Sequence, residues 1–113
     1  MSCKIVATQR FEKDLKRLFK KYPSLPSDLR DLREELQSHP KSGTSLGRKC
    51  YKVRLAIKSK GKGKSGGARV ITYLVEESKE LTLLSLLSIY DKSEVSSLTD
   101  KELTELIAQV RNS

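Results

Sequence analysis

The chain has 113 residues, with 23 Lys and Arg against 14 Asp and Glu, a formal net charge of +9. That length fits one domain, and no apolar run approaches the roughly 18 residues that a membrane span needs. Two cysteines, Cys3 and Cys50, are too few for a disulfide framework and suit a reducing cytoplasm, and the early charges of MSCKIVATQRFEKD do not suit a signal peptide.

Residues 3–8, CKIVAT, predict a short strand, with Thr8 placed to cap a helix after it. From Gln9 to Tyr22 the apolar residues Phe11, Leu15, Leu18, Phe19 and Tyr22 share one helical face, and Pro23 ends the helix. A second helix is expected from Ser24 or Ser27 to Ser38, striped by Leu25, Leu29, Leu32 and Leu36. Its acids alternate with Arg30 and Arg33, as on a solvated outer face. Residues 39–48, HPKSGTSLGR, read as a Gly/Pro/Ser connection.

Three strands come next. In CYKVRLAI, from Cys50 to Ile57, Tyr51, Val53, Leu55 and Ile57 alternate with Lys52, Arg54 and Ala56, giving one apolar and one basic face. The stretch KSKGKGKSGG then leads into RVITYLV, starting at Arg69. After a turn at Glu77–Glu80, LTLLSLLSIY from Leu81 to Tyr90 is apolar on both faces, as a central strand would be. These three strands are expected to form an antiparallel sheet. Thr99-Asp100-Lys101-Glu102 is a capping box, opening a last helix striped by Leu103, Leu106, Ile107 and Val110. The resulting order, β-α-α-β-β-β-α, predicts an α+β fold with helices packed on one face of a mainly antiparallel four-stranded sheet. Leu15, Leu18, Leu29, Leu32, Leu83 and Leu106 are the expected core. Arg54 and Arg69 are expected to be exposed on the helix-free face.

Charge is concentrated in the middle of the chain. From Leu36 to Val75 there is no acid, while Lys41, Arg48, Lys49, Lys52, Arg54, Lys58, Lys60, Lys62, Lys64 and Arg69 are all basic. Outside those ten, 13 basic residues face 14 acidic ones. A basic segment on a nearly neutral body is the footprint of a polyanion-binding surface. The plainer reading of the lysine loop is a mobile, well-solvated hairpin tip, with Ser59–Gly67 the least ordered internal segment. Against it stand the flanking Arg54 and Arg69, and the polar cluster Tyr90-Asp91-Lys92 that ends the last strand. Tyr90 could equally be a rim aromatic, and Asp91 and Lys92 an ordinary turn.

Several chemistries are excluded. Gly63-Lys64-Ser65 mimics the end of a phosphate-binding P-loop, but position 58, where its first glycine belongs, is Lys58, and a strand comes after it instead of a helix. No metal-ligand cluster is present. His39, the sole histidine, precedes Pro40 at a helix end, so no Ser-His-Asp or Cys-His device can be assembled.

The segments YKVRLAIKSKGKGKSGGARVITY and LTLLSLLSIYDKSEVSSL resemble the RelE/ParE toxin superfamily, and most closely its HigB-like branch. The shared pattern is K-x-R, a GKGK-x-GG-x-R-[VI] loop and I-Y-x-K-x-E at the last strand. The resemblance implies the toxin of a toxin–antitoxin pair that cuts mRNA in the ribosomal decoding site, with ribosome-bound mRNA and a cognate antitoxin as partners. It implies neither cofactor nor metal, no membrane partner and a cytoplasmic location. By motif position it carries over Arg69, Tyr90 and Lys92 as catalytic residues. Arg54, Lys58, Lys60, Lys62 and Lys64 carry over as RNA-binding residues. The chain departs from relatives that place histidines at the site. Asp91 stands where close relatives often have a small residue.

Cleavage needs no histidine in principle, because RNA supplies its own nucleophile, the 2′-hydroxyl. Arginine forks read phosphate oxygens bidentately and stabilise the charge that develops on them. Two alternatives remain open at this level. One is a ParE-like DNA gyrase poison, and the other a non-enzymatic nucleic-acid-binding module.

Overall fold

The computed structural model describes residues 2–61, 63, 66–76, 78–95 and 97–111, the side chains at 2, 76 and 111 excepted. The elements are β1 (Ser2–Ala7), α1 (Gln9–Phe19), α2 (Leu25–Ser38), β2 (Thr44–Gly47), β3 (Cys50–Leu55), β4 (Ala68–Glu76), β5 (Leu81–Asp91) and α3 (Asp100–Arg111), with a single 3₁₀ turn at Lys58–Lys60. One mixed sheet has the order β1-β5-β4-β3-β2. β1 runs parallel to β5, and the other neighbours pair antiparallel.

The predicted α+β class is found, with two corrections. The sheet has five strands instead of four, because Thr44–Gly47 pairs with β3 inside the stretch expected to be a plain connection. This edge strand is short, polar and mostly exposed, so it shows no apolar alternation. Gly47 pairs with Cys50, which leaves Arg48 and Lys49 as a two-residue turn with φ of 53° and 65°. Glycine or asparagine normally fills such a turn.

The second correction concerns layers. α1 and α2 cover one face, where Phe11, Leu18, Leu25, Leu29, Leu32 and Leu36 pack with Val53, Leu55, Val70, Leu84, Leu86 and Ile89. α3 covers the other face, where Leu103, Leu106 and Ile107 pack with Cys50, Ile71, Tyr73, Leu87 and Tyr90. The physical reason is in β4 and β5 themselves. Both strands are apolar on both sides, and a sheet buried on one side only would leave Ile71, Tyr73 and Leu87 in water.

Local signals act as read. Thr8 Oγ1 accepts from the Phe11 amide at 3.1 Å, capping α1. The Thr99–Glu102 box closes reciprocally, the Glu102 amide donating to Thr99 Oγ1 at 3.1 Å and the Thr99 amide to Glu102 Oε1 at 3.2 Å. Leu18, Leu29, Leu32 and Leu106 are buried, whereas Leu15 and Leu83 are half-buried. Arg48 ties the β2–β3 turn to α3, donating to Thr104 Oγ1 at 2.6 Å. Among the described residues no helix is long and apolar enough to cross a membrane.

Candidate nucleic-acid-processing site

Strand register builds the site. Arg54 of β3 is paired with Arg69 of β4, and Arg69 with Tyr90 of β5. Directly paired residues project from the same face, with Cα atoms about 4.5–5.5 Å apart. The three therefore form a row across adjacent strands. Leu55 pairs with Ala68, one step further on, and the chain between them is the lysine loop. The loop thus leaves the sheet one register step beyond the row.

The row is on the α3 face, not on a helix-free one. Arg54 is exposed, as expected, but Arg69 is only 5% exposed. Arg69 lies two residues before Ile71 on β4, so the elements that bury Ile71 under α3 also enclose it. Its guanidinium donates to the Ala68 carbonyl at 3.1 Å. Tyr90 is 5% exposed, and its hydroxyl has no hydrogen-bond partner among the described residues. Burial raises the phenol pKa, the nearby Arg69 charge works against that rise, and Glu102 adds to it. A phenol held protonated in this way is a donor, not a base. Lys92 is exposed just past β5, and its backbone amide donates to the Gly67 carbonyl at 3.2 Å. Among the described residues no hydrogen bond or ion pair joins its ammonium to the row.

The lysines of the loop divide into two sets. Lys58 and Lys60, expected to bind RNA, are each paired with an acid of the protein, Lys58 at the surface and Lys60 in the interior. Lys60 Nζ lies 2.6 Å from Asp91 Oδ1, with side chains 10% and 0% exposed. Lys58 Nζ lies 3.5 Å from Asp31 Oδ2 in a solvent-exposed pair. Lys62 and Lys64 lie outside the described residues. Residues 62, 64 and 65 of the Ser59–Gly67 segment, expected to be the least ordered, likewise lie outside the described residues.

The entry of the loop is held against the α1–α2 turn. The Ser59 amide donates to Ser24 Oγ at 2.9 Å, and the two serine hydroxyls are 2.8 Å apart. Ser24 Oγ donates to Asp28 Oδ2 at 2.7 Å, and the Lys58 amide donates to the same oxygen at 3.2 Å. At the exit, a Cβ added to Gly67 would lie 2.1 Å from the Leu55 carbonyl oxygen, so only glycine fits there.

Asp91 is not the ordinary turn residue that the plainer reading of Tyr90-Asp91-Lys92 allowed. Its carboxylate is fully buried and accepts from Tyr22 Oη at 2.5 Å, Lys60 Nζ at 2.6 Å, the Ser93 amide at 2.9 Å and Ser93 Oγ at 2.7 Å. Burial alone would raise its pKa, but the hydrogen bonds from Lys60, Tyr22 and Ser93 together outweigh it and hold the carboxyl well below the usual range. The Tyr22 ring also receives Lys60 Nζ at 5.7 Å from its centroid. The one available signal was a lone acid ending an otherwise apolar strand.

Other candidates carry less. The thiol of Cys50 is buried and pushed up to about 11, burial raising it and the Arg48 charge opposing, so it is a poor nucleophile. Among the described residues no group of three or more His, Cys, Asp or Glu could hold a metal ion. His39 is exposed at the end of α2, where its amide donates to the Glu35 carbonyl at 2.8 Å. A groove of about 1020 Å³ lies beside it, between α2 and the β4–β5 turn, lined by Pro40, Leu74 and Lys79 among others. It contains no residue of the row, so this groove and the convergent polar groups lie apart.

No known family model matches the chain. Its fold is similar to that of a mutant of the E. coli toxin RelE in the free state, with a TM-score of 0.61, 15% identity and coverage of 97% of this chain and 99% of that one. It is also similar to the YoeB/ParE toxin from Agrobacterium tumefaciens, with a TM-score of 0.56, 13% identity and coverage of 78% and 97%. At these identities the likeness establishes a RelE-like fold.

Proposed function

We propose that the chain is the toxin of a toxin–antitoxin pair, and that it acts as a ribosome-dependent endoribonuclease. The observation that carries this reading is the Arg54–Arg69–Tyr90 row, in register across three strands where the basic loop leaves the sheet. The RelE-like fold and the HigB-like motif pattern support it. The proposed partners are ribosome-bound mRNA and a cognate antitoxin, and the proposed setting is the cytoplasm.

In the proposed reaction the 2′-oxygen of RNA attacks the adjacent phosphorus. The 2′-O–P bond forms as the 2′-hydroxyl gives up its proton to solvent, the P–O5′ bond breaks as the 5′-oxygen takes up a proton, and the products are a 2′,3′-cyclic phosphate and a 5′-hydroxyl end. Arg69, with a backbone fixed between two strands, is assigned to the phosphate oxygens as charge builds on them. Tyr90, held protonated, is assigned as donor to a phosphate oxygen or to the departing 5′-oxygen. Arg54, on the exposed side of the row, is assigned to the neighbouring phosphate, and Lys62 and Lys64 to the flanking backbone. Lys92 is assigned a supporting electrostatic role from just beyond the row. One well-placed donor of this kind is worth about 3 kcal/mol of barrier. A ribosome that presents mRNA already splayed would supply alignment as well.

Primer extension on mRNA from cells making the protein, with and without translation, tests the reading. Cleavage confined to translated frames is the expected result. Growth arrest with intact mRNA and damaged DNA would favour the gyrase-directed alternative, for which likeness to a YoeB/ParE toxin is the supporting observation.

A further inference from the structure

The Asp91 cluster lies on the opposite face from the row, so cleavage chemistry does not explain it. Tyr90 points toward α3, and Asp91 toward Tyr22 at the end of α1. A fully buried carboxylate that gathers four hydrogen bonds is costly to assemble. What it holds is informative. Lys60 ends the 3₁₀ turn that begins the loop, and Gly61 comes directly after it with a left-handed φ of 73°. On the exit side, Asp91 pairs with Ala68, and the next amide, that of Lys92, donates to the Gly67 carbonyl. Both stems of the lysine loop therefore meet Asp91 at the end of β5, the entry through the Lys60 ammonium and the exit through the pairing with Ala68.

We propose that Asp91 is a positioning residue, whose carboxylate clasps Lys60 and fixes the root of the lysine loop one register step from the Arg54–Arg69–Tyr90 row. Lys60 is then a strut and not a phosphate contact. Its ammonium is turned inward, against Asp91 and the face of Tyr22, and only 10% of its side chain remains accessible. The cations that meet a polyanion begin beyond Gly61. Fixing a stem narrows the positions that the chain beyond it can reach. The functional half of this proposal rests on the reading of the row as an RNA-cleaving surface. The structural half does not.

The test is the double variant Asp91→Asn/Lys60→Met, chosen because it removes one charge of each sign. Net charge is unchanged, so any effect on a polyanion comes from loop placement and not from bulk electrostatics. Asparagine keeps an acceptor for Tyr22 and Ser93, and methionine keeps the length of the lysine stem. Amide hydrogen exchange is read at Ser59, Lys60, Gly61 and Gly67, alongside cleavage of translated mRNA. We expect exchange at these stems to rise about tenfold or more while β4 and β5 stay protected, and cleavage to fall at least tenfold at unchanged codons. Stem exchange equal to wild type overturns the clasp. Faster stem exchange with wild-type cleavage overturns the positioning role. Wild-type protein that cleaves nothing, with faster stem exchange in the variant, sinks the nuclease reading and leaves the clasp standing. Tyr22→Phe, which removes one donor to Asp91 and keeps the ring, is the milder companion should the double variant not fold. It is expected to give an intermediate rise in stem exchange, and no rise would overturn the clasp.

Discussion

On the α3 side of the sheet end, Arg69 and Tyr90 are buried together, and the Tyr90 hydroxyl has no partner among the described residues. On the α1–α2 side, one residue further along β5, Asp91 is buried to the same degree and accepts four hydrogen bonds. The two sites share strands, burial and nearby positive charge. They differ in saturation. Buried polar groups that serve stability are satisfied by the protein itself, because each unmet group costs about 1–3 kcal/mol. Three buried polar atoms have no partner among the described residues, Asp28 Oδ1, Thr72 Oγ1 and Tyr90 Oη, and of these Tyr90 Oη is the one in the row, where the proposed reading gives it an external oxyanion to meet. On the proposed reading the saturated cluster is the frame, and the row that carries the unmet Tyr90 hydroxyl is the working surface.

The frame should break hardest. Asp91→Asn alone leaves the Lys60 ammonium buried without its counter-charge, and removing one member of such a pair costs about 3–5 kcal/mol. Chemical denaturation should show a loss of that size. A loss near zero would mean that the saturated cluster holds nothing.

Arg69→Ala comes next. Because Arg69 is buried, truncation empties packed aliphatic volume, and a stability loss of about 1–3 kcal/mol is expected together with loss of cleavage. Arg69→Lys keeps the charge but not the planar fork, so cleavage should stay at least about tenfold below wild type. Primer extension and melts on the same preparations separate the two effects.

Acid should erode the frame before the row. The folded pKa of Asp91 is depressed below the ordinary value of 3.8. Its ionised form therefore contributes stability that is complete above the ordinary value and is lost as pH falls through the lower folded one. Melting temperatures of wild type and the Asp91→Asn/Lys60→Met variant should converge as pH is lowered from 7 into that range. A constant gap would contradict the assignment of the shift to the clasp.

The smallest effect is expected at Lys58. Its pair with Asp31 is exposed on both sides, and such pairs contribute about 0–1 kcal/mol. Lys58→Gln should change stability little. It should lower the salt dependence of RNA binding less than the roughly one unit expected for a full phosphate contact.

Much of this architecture was legible from local chemistry. Thr8, the Thr99–Glu102 box and the leucine stripes marked the helices, because caps and periodicity act over a few residues. The alternation in β3 put Arg54 on the basic face, and the same period in β4 places Arg69 with Ile71 and Tyr73. What alternation cannot say is which element covers a face, so Arg69 was expected to be exposed and is enclosed on the α3 side. The two-sided apolarity of Leu81–Tyr90 already required cover on both faces. β2 escaped notice because Leu46 is the lone large apolar residue in a four-residue edge strand, too little to show an alternation. The role of Asp91 was not visible, since it depends on Tyr22 and Lys60 arriving from 69 and 31 residues away. Lys60 looked like one more cation of the loop for the same reason.

The most direct test of the account is Tyr90→Phe. The hydroxyl has no partner among the described residues, so its removal should leave stability unchanged or slightly raised, since an unmet buried polar group is deleted without disturbing the ring. The account predicts a melting temperature at or above wild type, and cleavage of translated mRNA reduced by about 10²-fold, the scale of a lost donor in the transition state. A variant that cleaves as well as wild type, or one that loses stability with the hydroxyl, would contradict the claim that the row is the working surface.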